Sequence, residues 1–158
     1  MKNGLPFKIE YDTNYTLIAI ISSLVDYQFA YYLNKKPHLL FKRMSSDLSY
    51  IINNQTIYFS IFQYNQPELQ RSAFLIQNKS TYKTPFNNKG GLFQEEEISN
   101  TIFLIPELKE FDYLMKLVGV WKNSELSDIS LFLNKLDYVD SQNTIDLQQI
   151  KSINNIVF

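Results

Sequence analysis

The 158-residue chain contains no cysteine, which removes thiolate nucleophiles, disulfides, zinc knuckles and iron–sulfur clusters from the chemistry its side chains can support. Histidine occurs once, at His38, so a Ser-His-Asp triad would have to use it. It follows Pro37, and the chain holds no Gly-x-Ser-x-Gly elbow, so it reads as an ordinary half-exposed histidine. Glycine is scarce, at 4 residues, and the pair Gly90 and Gly91 in "NKGGLF" lacks the spacing and the Lys-Ser/Thr ending of a phosphate-binding loop. It reads as a turn. Long apolar runs are missing too: residues 17–25 are interrupted by Ser22 and Ser23, fall short of a membrane span and follow Glu10 and Asp12 rather than a basic leader. No export signal or transmembrane helix is read, and without one the glycosylation sequons at Asn14, Asn54 and Asn78 carry no weight. Neither charge dominates, with 15 Lys and Arg against 16 Asp and Glu. That balance argues against a protein whose main task is gripping a phosphate backbone by counterion release.

What the chain does contain is ordinary globular material, 45% apolar and 15% aromatic, in a length that suits one domain over 1–158. Phe7, Ile9 and Tyr11 alternate with polar residues as a half-buried strand does, and "YTLIAIIS" reads as a central strand. An amphipathic helix is expected over 25–35, with Ser23 as N-cap and Pro37 as its stop. Next come a strand over 39–45, a turn over 47–55 with Asn53 and Asn54 at a hairpin corner, and a long strand over 56–64 paired with 72–77. Periodicity vanishes over about 80–100, which reads as a long flexible loop. Strands follow over 101–105 and 113–120. Leu126, Ile129, Leu133 and Leu136 place a helix over 125–135 capped by Ser124, then come a short strand over 141–147 and a helical turn. The expected fold is α+β, a mainly antiparallel sheet with two principal helices on one face.

The most distinctive text is "IPELKEFDY", residues 105–113. Pro106 suits the first position of a helical turn, and Glu107 suits its positive end. Leu108 and Phe111 would face inward together, Asp112 would accept backbone amides at the turn's exit, and Tyr113 would bury its ring and find a partner for its hydroxyl. The alternative makes Glu107 and Asp112 a general acid and base, with Glu110 as a third carboxylate, and needs a shared cleft with separated pKa values. These carboxylates have no metal-ligand spacing, so neither metal nor cofactor is expected.

Two further stretches offer surfaces. "KKPHLLFKR" gathers Lys35, Lys36, Lys42 and Arg43 around His38, as a solvated helix end leading into an edge strand would. In "IYFSIFQY", Tyr58, Phe62 and Tyr64 share one strand face. Exposed aromatics there would stack single-stranded bases or form a protein interface.

With Ile105, Pro106, Glu107, Asp112 and Tyr113 in place, the chain resembles the IPExxxVDY family, small proteins of Bacteroidota of uncharacterised function; Phe111 stands where the family has Val. The early "DYQFAYYLNK" and the final "IKSINNIVF" extend the resemblance over nearly the whole chain. It implies a bacterial, cytoplasmic setting and brings no activity, cofactor or catalytic residue. The function expected is non-catalytic: binding another protein, or self-association. The alternative is an RNA-binding accessory factor using the aromatic sheet face and the basic stretch, and a weaker alternative is an acid-base enzyme using Glu107 and Asp112. No membrane partner is expected.

Overall fold

The computed structural model describes residues 14–37, 39–86 and 96–158. The strand expected around Ile9, the His38 side chain and the Gly90–Gly91 turn lie outside them. Among the described residues the order is β1 (Tyr15–Ser22), α1 (Asp26–Leu33), β2 (Lys42–Arg43), β3 (Leu48–Ile52), β4 (Gln55–Phe59), β5 (Ile61–Gln66), β6 (Arg71–Gln77), β7 (Lys79–Phe86), β8 (Glu96–Phe103), β9 (Tyr113–Val118), α2 (Asn123–Asn134) and β10 (Val139–Thr144). The fold is α+β. Six strands form one antiparallel sheet in the order β10-β1-β9-β6-β5-β2, and β3-β4 and β7-β8 are separate two-stranded ribbons.

The sheet is buried on both faces, which is why β1, β6 and β9 read as nearly continuous apolar runs. Met115 lies opposite Ile18 on one side and Leu75 on the other. These residues, with Ile20, Ala73, Tyr113 and Leu117, point to the face covered by Phe29, Ala30 and Leu33 of α1 and by Ile129 and Leu133 of α2. Both helices therefore pack on one face, as expected. On the opposite face Leu17, Ala19, Phe74, Ile76 and Leu114 pack against Ile57 and Phe59 of β4, Leu108 and Phe111, and Ile150 and Ile156 near the chain end. Burying a side chain of this size contributes about 1.5–3 kcal/mol.

Several elements differ from expectation. The α1 N-cap is Val25 rather than Ser23, and α2 starts behind Lys122, leaving Ser124 inside the helix. A carboxylate does the capping of α2: Glu125 accepts from the Lys122 amide at 2.8 Å. The strand expected over 39–45 shrinks to β2, because Asn34 bonds both backbone groups of Phe41 at 2.7 and 2.9 Å and diverts the chain. Residues 48–52, expected in a turn, form β3, whose hairpin corner is Asn53 and Asn54 as expected, with φ of 50° and 62°. These left-handed values at both corner residues are what two-residue hairpins demand. The long strand over 56–64 breaks at Ser60 into β4 and β5, which belong to different sheets. Much of the loop expected over about 80–100 is instead the β7-β8 ribbon, laddered from Lys79 opposite Phe103 to Phe86 opposite Glu96. Its sequence is polar and weakly alternating because it is a largely exposed ribbon beyond the main sheet. The 72–77 pairing is the β5-β6 hairpin, as expected.

At the end of β9, Gly119 has φ +88°, and a Cβ there would meet Arg71 Cβ and the Gln70 carbonyl, each at 2.8 Å. Gly119→Ala is expected to lower stability by about 1–3 kcal/mol from strained backbone and close approach. Urea denaturation checks this: an unchanged midpoint would remove the requirement for glycine.

Candidate functional site

The motif turn is organised by a residue outside it. Asn78, between β6 and β7, is 0% exposed. Its Oδ1 accepts from the Ile105 amide at 2.9 Å, and its Nδ2 donates to the carbonyls of Leu108 and Phe111 at 2.8 and 2.9 Å. Its backbone amide donates to the Asp112 carbonyl, and its carbonyl accepts from the Leu104 amide, both at 2.8 Å. One buried side chain thus satisfies both ends of the 3₁₀ turn over Pro106–Leu108, of which Leu108 is buried. Pro106 opens that turn, and Leu108 and Phe111 face the core together, as the sequence suggested.

The polar groups of the motif are spent on the protein's own backbone. Glu107 Oε1 accepts from the amides of Lys151 and Ser152 at 2.9 and 3.0 Å and from the Ser152 hydroxyl at 3.2 Å. Desolvation pushes this carboxyl up, but hydrogen bonds from its own residue, Ser152 and Lys151 outweigh it and hold the group below the usual range. Asp112 Oδ2 accepts from the Ser22 amide at 3.0 Å, tying the turn's exit to the end of β1. The Tyr113 hydroxyl donates to the Leu24 carbonyl at 2.6 Å, and its ring lies 4.9 Å from that of Phe29. Burial, followed by the charges of Asp26 and Asp112, raises the Tyr113 hydroxyl well above its ordinary pKa. Glu107 borders a cleft of about 620 Å³ with Gln142 and Asp146, whereas Asp112 borders a different one of about 280 Å³ with Ser23 and Lys79. The acid-base arrangement of Glu107 with Asp112 needed a shared cleft, and these two clefts separate them. Glu110 is exposed.

Two charged centres gave no sequence signal. Lys116 sits mid-strand in β9, buried, with its ammonium 4.6 Å from the Tyr15 ring, 4.7 Å from the Phe158 ring and 2.8 Å from the Ile156 carbonyl it donates to. It fastens the chain end over the second sheet face. Burial also pushes the Tyr15 hydroxyl up to about 12. Arg71, whose side chain is 8% exposed, grips Glu125 with two bonds of 2.8 Å, takes Gln66 at 2.7 Å and lies 4.0 Å from the Trp121 ring centre. This paired geometry fixes the start of α2 to β6. The Arg71 bonds, then the Lys122 amide, hold Glu125 at about 2.

The candidate partner residues do not form one surface. Phe62 is 6% exposed and faces the helices, Tyr64 is half-buried beside it, and Tyr58 is exposed on another ribbon because the chain breaks at Ser60. The expected aromatic face of Tyr58, Phe62 and Tyr64 is therefore divided between core and two sheets. Arg43 is engaged by Asp26 at 3.1 Å and Asp47 at 2.7 Å, Lys36 lies 5.2 Å from the Phe132 ring centre, and Lys42 is exposed on the edge strand. Lys42, Arg43 and Tyr64 do share the border of an edge groove of about 510 Å³.

Sequence reasoning missed the exposed aromatic surface, which is on α1. Tyr27 and Tyr31 are 65% and 62% exposed, one helical turn apart. Lys35 places its ammonium 4.9 Å from the Tyr31 ring centre and 4.6 Å from that of Tyr32. Tyr31 meets Tyr32 edge-on at 5.5 Å, and Tyr32 meets the exposed Tyr138 at 5.3 Å. The helix expected over 25–35 already held the signal: the face opposite Phe29, Ala30 and Leu33 carries Tyr27 and Tyr31.

The chain matches no family model, no curated protein and no solved structure. Among the described residues no helix is long and apolar enough to cross a membrane, and no cluster of side chains has metal-binding geometry.

Replacing Asn78 by Leu would leave the buried Ile105 amide and the Phe111 carbonyl without partners, while the Leu108 carbonyl would keep only the Phe111 amide at 3.0 Å, and a stability loss of about 3 kcal/mol or more is expected. Equal denaturation midpoints for the two proteins would contradict its role. For Glu125, the folded carboxyl lies near 2 and the unfolded one near about 4.3. Its contribution is therefore complete above about pH 5 and fades as pH falls toward 2. The stability difference between wild type and Glu125→Gln should shrink over that window in denaturation curves; a difference independent of pH would show that the ion pair is not its source.

Proposed function

We propose that this protein is a non-catalytic protein-binding module that receives its partner on the outer face of α1. The observation that carries this reading is the exposure of Tyr27 and Tyr31 beside Tyr32, Tyr138 and Lys35. Exposed tyrosines in a cluster are costly to leave in water and are favoured in interfaces, where a flat ring supplies contact area with little side-chain entropy to lose. The motif supports the same reading from the other direction: with Glu107, Asp112 and Tyr113 bonded to backbone, its conspicuous polar groups serve the scaffold. Kinship with the IPExxxVDY family, and the bacterial cytoplasm as the place of work, belong to this proposal and rest on the resemblance of residues 105–113. RNA binding has less support, because Phe62 is buried and Arg43 is neutralised by two carboxylates.

The test is site-specific photo-crosslinking in cells from Gln28, an exposed position beside Tyr27 on α1. The expected outcome is a protein adduct that survives nuclease and disappears when Tyr27 and Tyr31 are both replaced by Ser. An adduct unaffected by those substitutions, or one abolished by nuclease, would overturn the reading.

A further inference from the structure

Tyr27, Tyr31 and Lys35 recur every four residues, so they form one ridge along α1, with Lys35 just beyond its last helical residue. The ridge is symmetric in spacing and complementary in chemistry. Its centre is an exposed aromatic ring, one end is a second exposed ring, and the other is a cation that already sits against tyrosine faces within its own chain. Turned end over end by a two-fold axis through Tyr31, the same ridge places Lys35 of one copy over Tyr27 of the other, twice, and Tyr31 against Tyr31.

Resting on the α1 reading above, we infer that the partner is a second copy of this chain, docked as an antiparallel α1–α1 pair. A two-fold contact must be self-complementary, and this ridge meets that condition without any residue facing its own charge. The ammonium meets the electron-rich face of an exposed ring, an attraction that strengthens as water leaves the contact. Repulsion between copies is small because the formal net charge is -1. Near the start of the helix, Arg43 bridges Asp26 and Asp47, which leaves a net negative charge at the end that faces Lys35 of the other copy. The rings of Tyr32 and Tyr138 flank the ridge and extend the contact. A short helix with a few tyrosines lies at the small end of stable interfaces, so the dimer is weak and exchanges readily.

The pairing predicts which residues meet, and a charge exchange tests that. Sedimentation of the purified full chain, over concentrations up to about 1 mM to populate a weak complex, should show a reversible monomer–dimer equilibrium. Lys35→Glu alone removes both cation–ring contacts, and Tyr27→Arg alone sets a guanidinium against Lys35 at both ends. Each should weaken dimerisation by about 10-fold or more. Mixing the two variants brings the introduced carboxylate against the introduced guanidinium at one end and keeps the native Tyr27–Lys35 contact at the other, so a heterodimer should return. Both substitutions fall on exposed side chains, and circular dichroism with thermal melting confirms that each variant is folded. A wild-type chain that stays monomeric, or variants that are each weakened but give no heterodimer on mixing, overturns the antiparallel pair. If the wild type is monomeric while crosslinking at Gln28 still captures a different protein through Tyr27 and Tyr31, self-pairing fails and the protein-binding reading stands. If Gln28 captures nothing dependent on those tyrosines, both fail.

Discussion

One buried amide side chain holds the second face of this protein together. Asn78 sits where β6 passes into β7, with no exposure to solvent, and bonds through its side chain to Ile105, Leu108 and Phe111. A polar group in such a place costs several kcal/mol unless every hydrogen-bonding atom is matched. Here all are, and the matching fixes the turn. Asparagine suits the position because it supplies an acceptor and two donors from one short, neutral side chain; aspartate would bring a charge and lose the donors, and leucine would strand the Ile105 amide and the Phe111 carbonyl.

From that turn the remaining contacts follow in order. With residues 105–111 fixed, Leu108 and Phe111 close over Leu17, Ala19 and Leu114 on the second face of the sheet. Glu107 then stands where it receives the amides of Lys151 and Ser152, while Lys116 draws in the Ile156 carbonyl and the Phe158 ring. On the helix side a separate anchor, Arg71 with Glu125, sets the start of α2, and Tyr113 reaches from β9 to the Leu24 carbonyl just ahead of α1. The six-stranded sheet is thus clamped between two layers that meet it through specific polar contacts as well as apolar packing. The motif is committed to this scaffold, and an exposed cluster of tyrosines lies on the outside of α1.

The sequence and the structure agree where local chemistry decides. "YTLIAIIS" is rich in β-branched and apolar residues, and it is an interior strand of the six-stranded sheet. Leu126, Ile129 and Leu133 at helical spacing make α2, which ends two residues short of Leu136, and Pro106 opens a turn whose Leu108 and Phe111 are buried. They part where a distant contact decides. Nothing in "IYFSIFQY" announces that Ser60 ends one sheet and begins another; Gln77, across the hairpin, accepts from the Ser60 amide and hydroxyl at 3.3 and 3.1 Å. The β7-β8 ribbon was illegible for a related reason, since a largely exposed ribbon needs no apolar alternation, and pairing along the ladder from Lys79 to Phe103 specifies it instead.

By itself the sequence determined the class of object: an α+β chain of antiparallel strands with two helices on one sheet face, a motif turn built on Pro106, and no thiol chemistry. Hydrophobic period, proline geometry and composition are local properties, and a single chain displays them in full. Only the tertiary structure decided which side chains are spent and which remain free. Asn78 and Lys116 look like surface residues in the sequence and are interior; Tyr58, Phe62 and Tyr64 look like one face, yet Phe62 and Tyr64 pack on the helix side of the main sheet and Tyr58 is exposed on a separate ribbon. The physical reason is that burial of a polar group, or exposure of an aromatic one, depends on partners tens of residues away. Leu108 and Phe111 are such partners for Asn78, as Ile156 is for Lys116, and spacing along the chain carries no record of them.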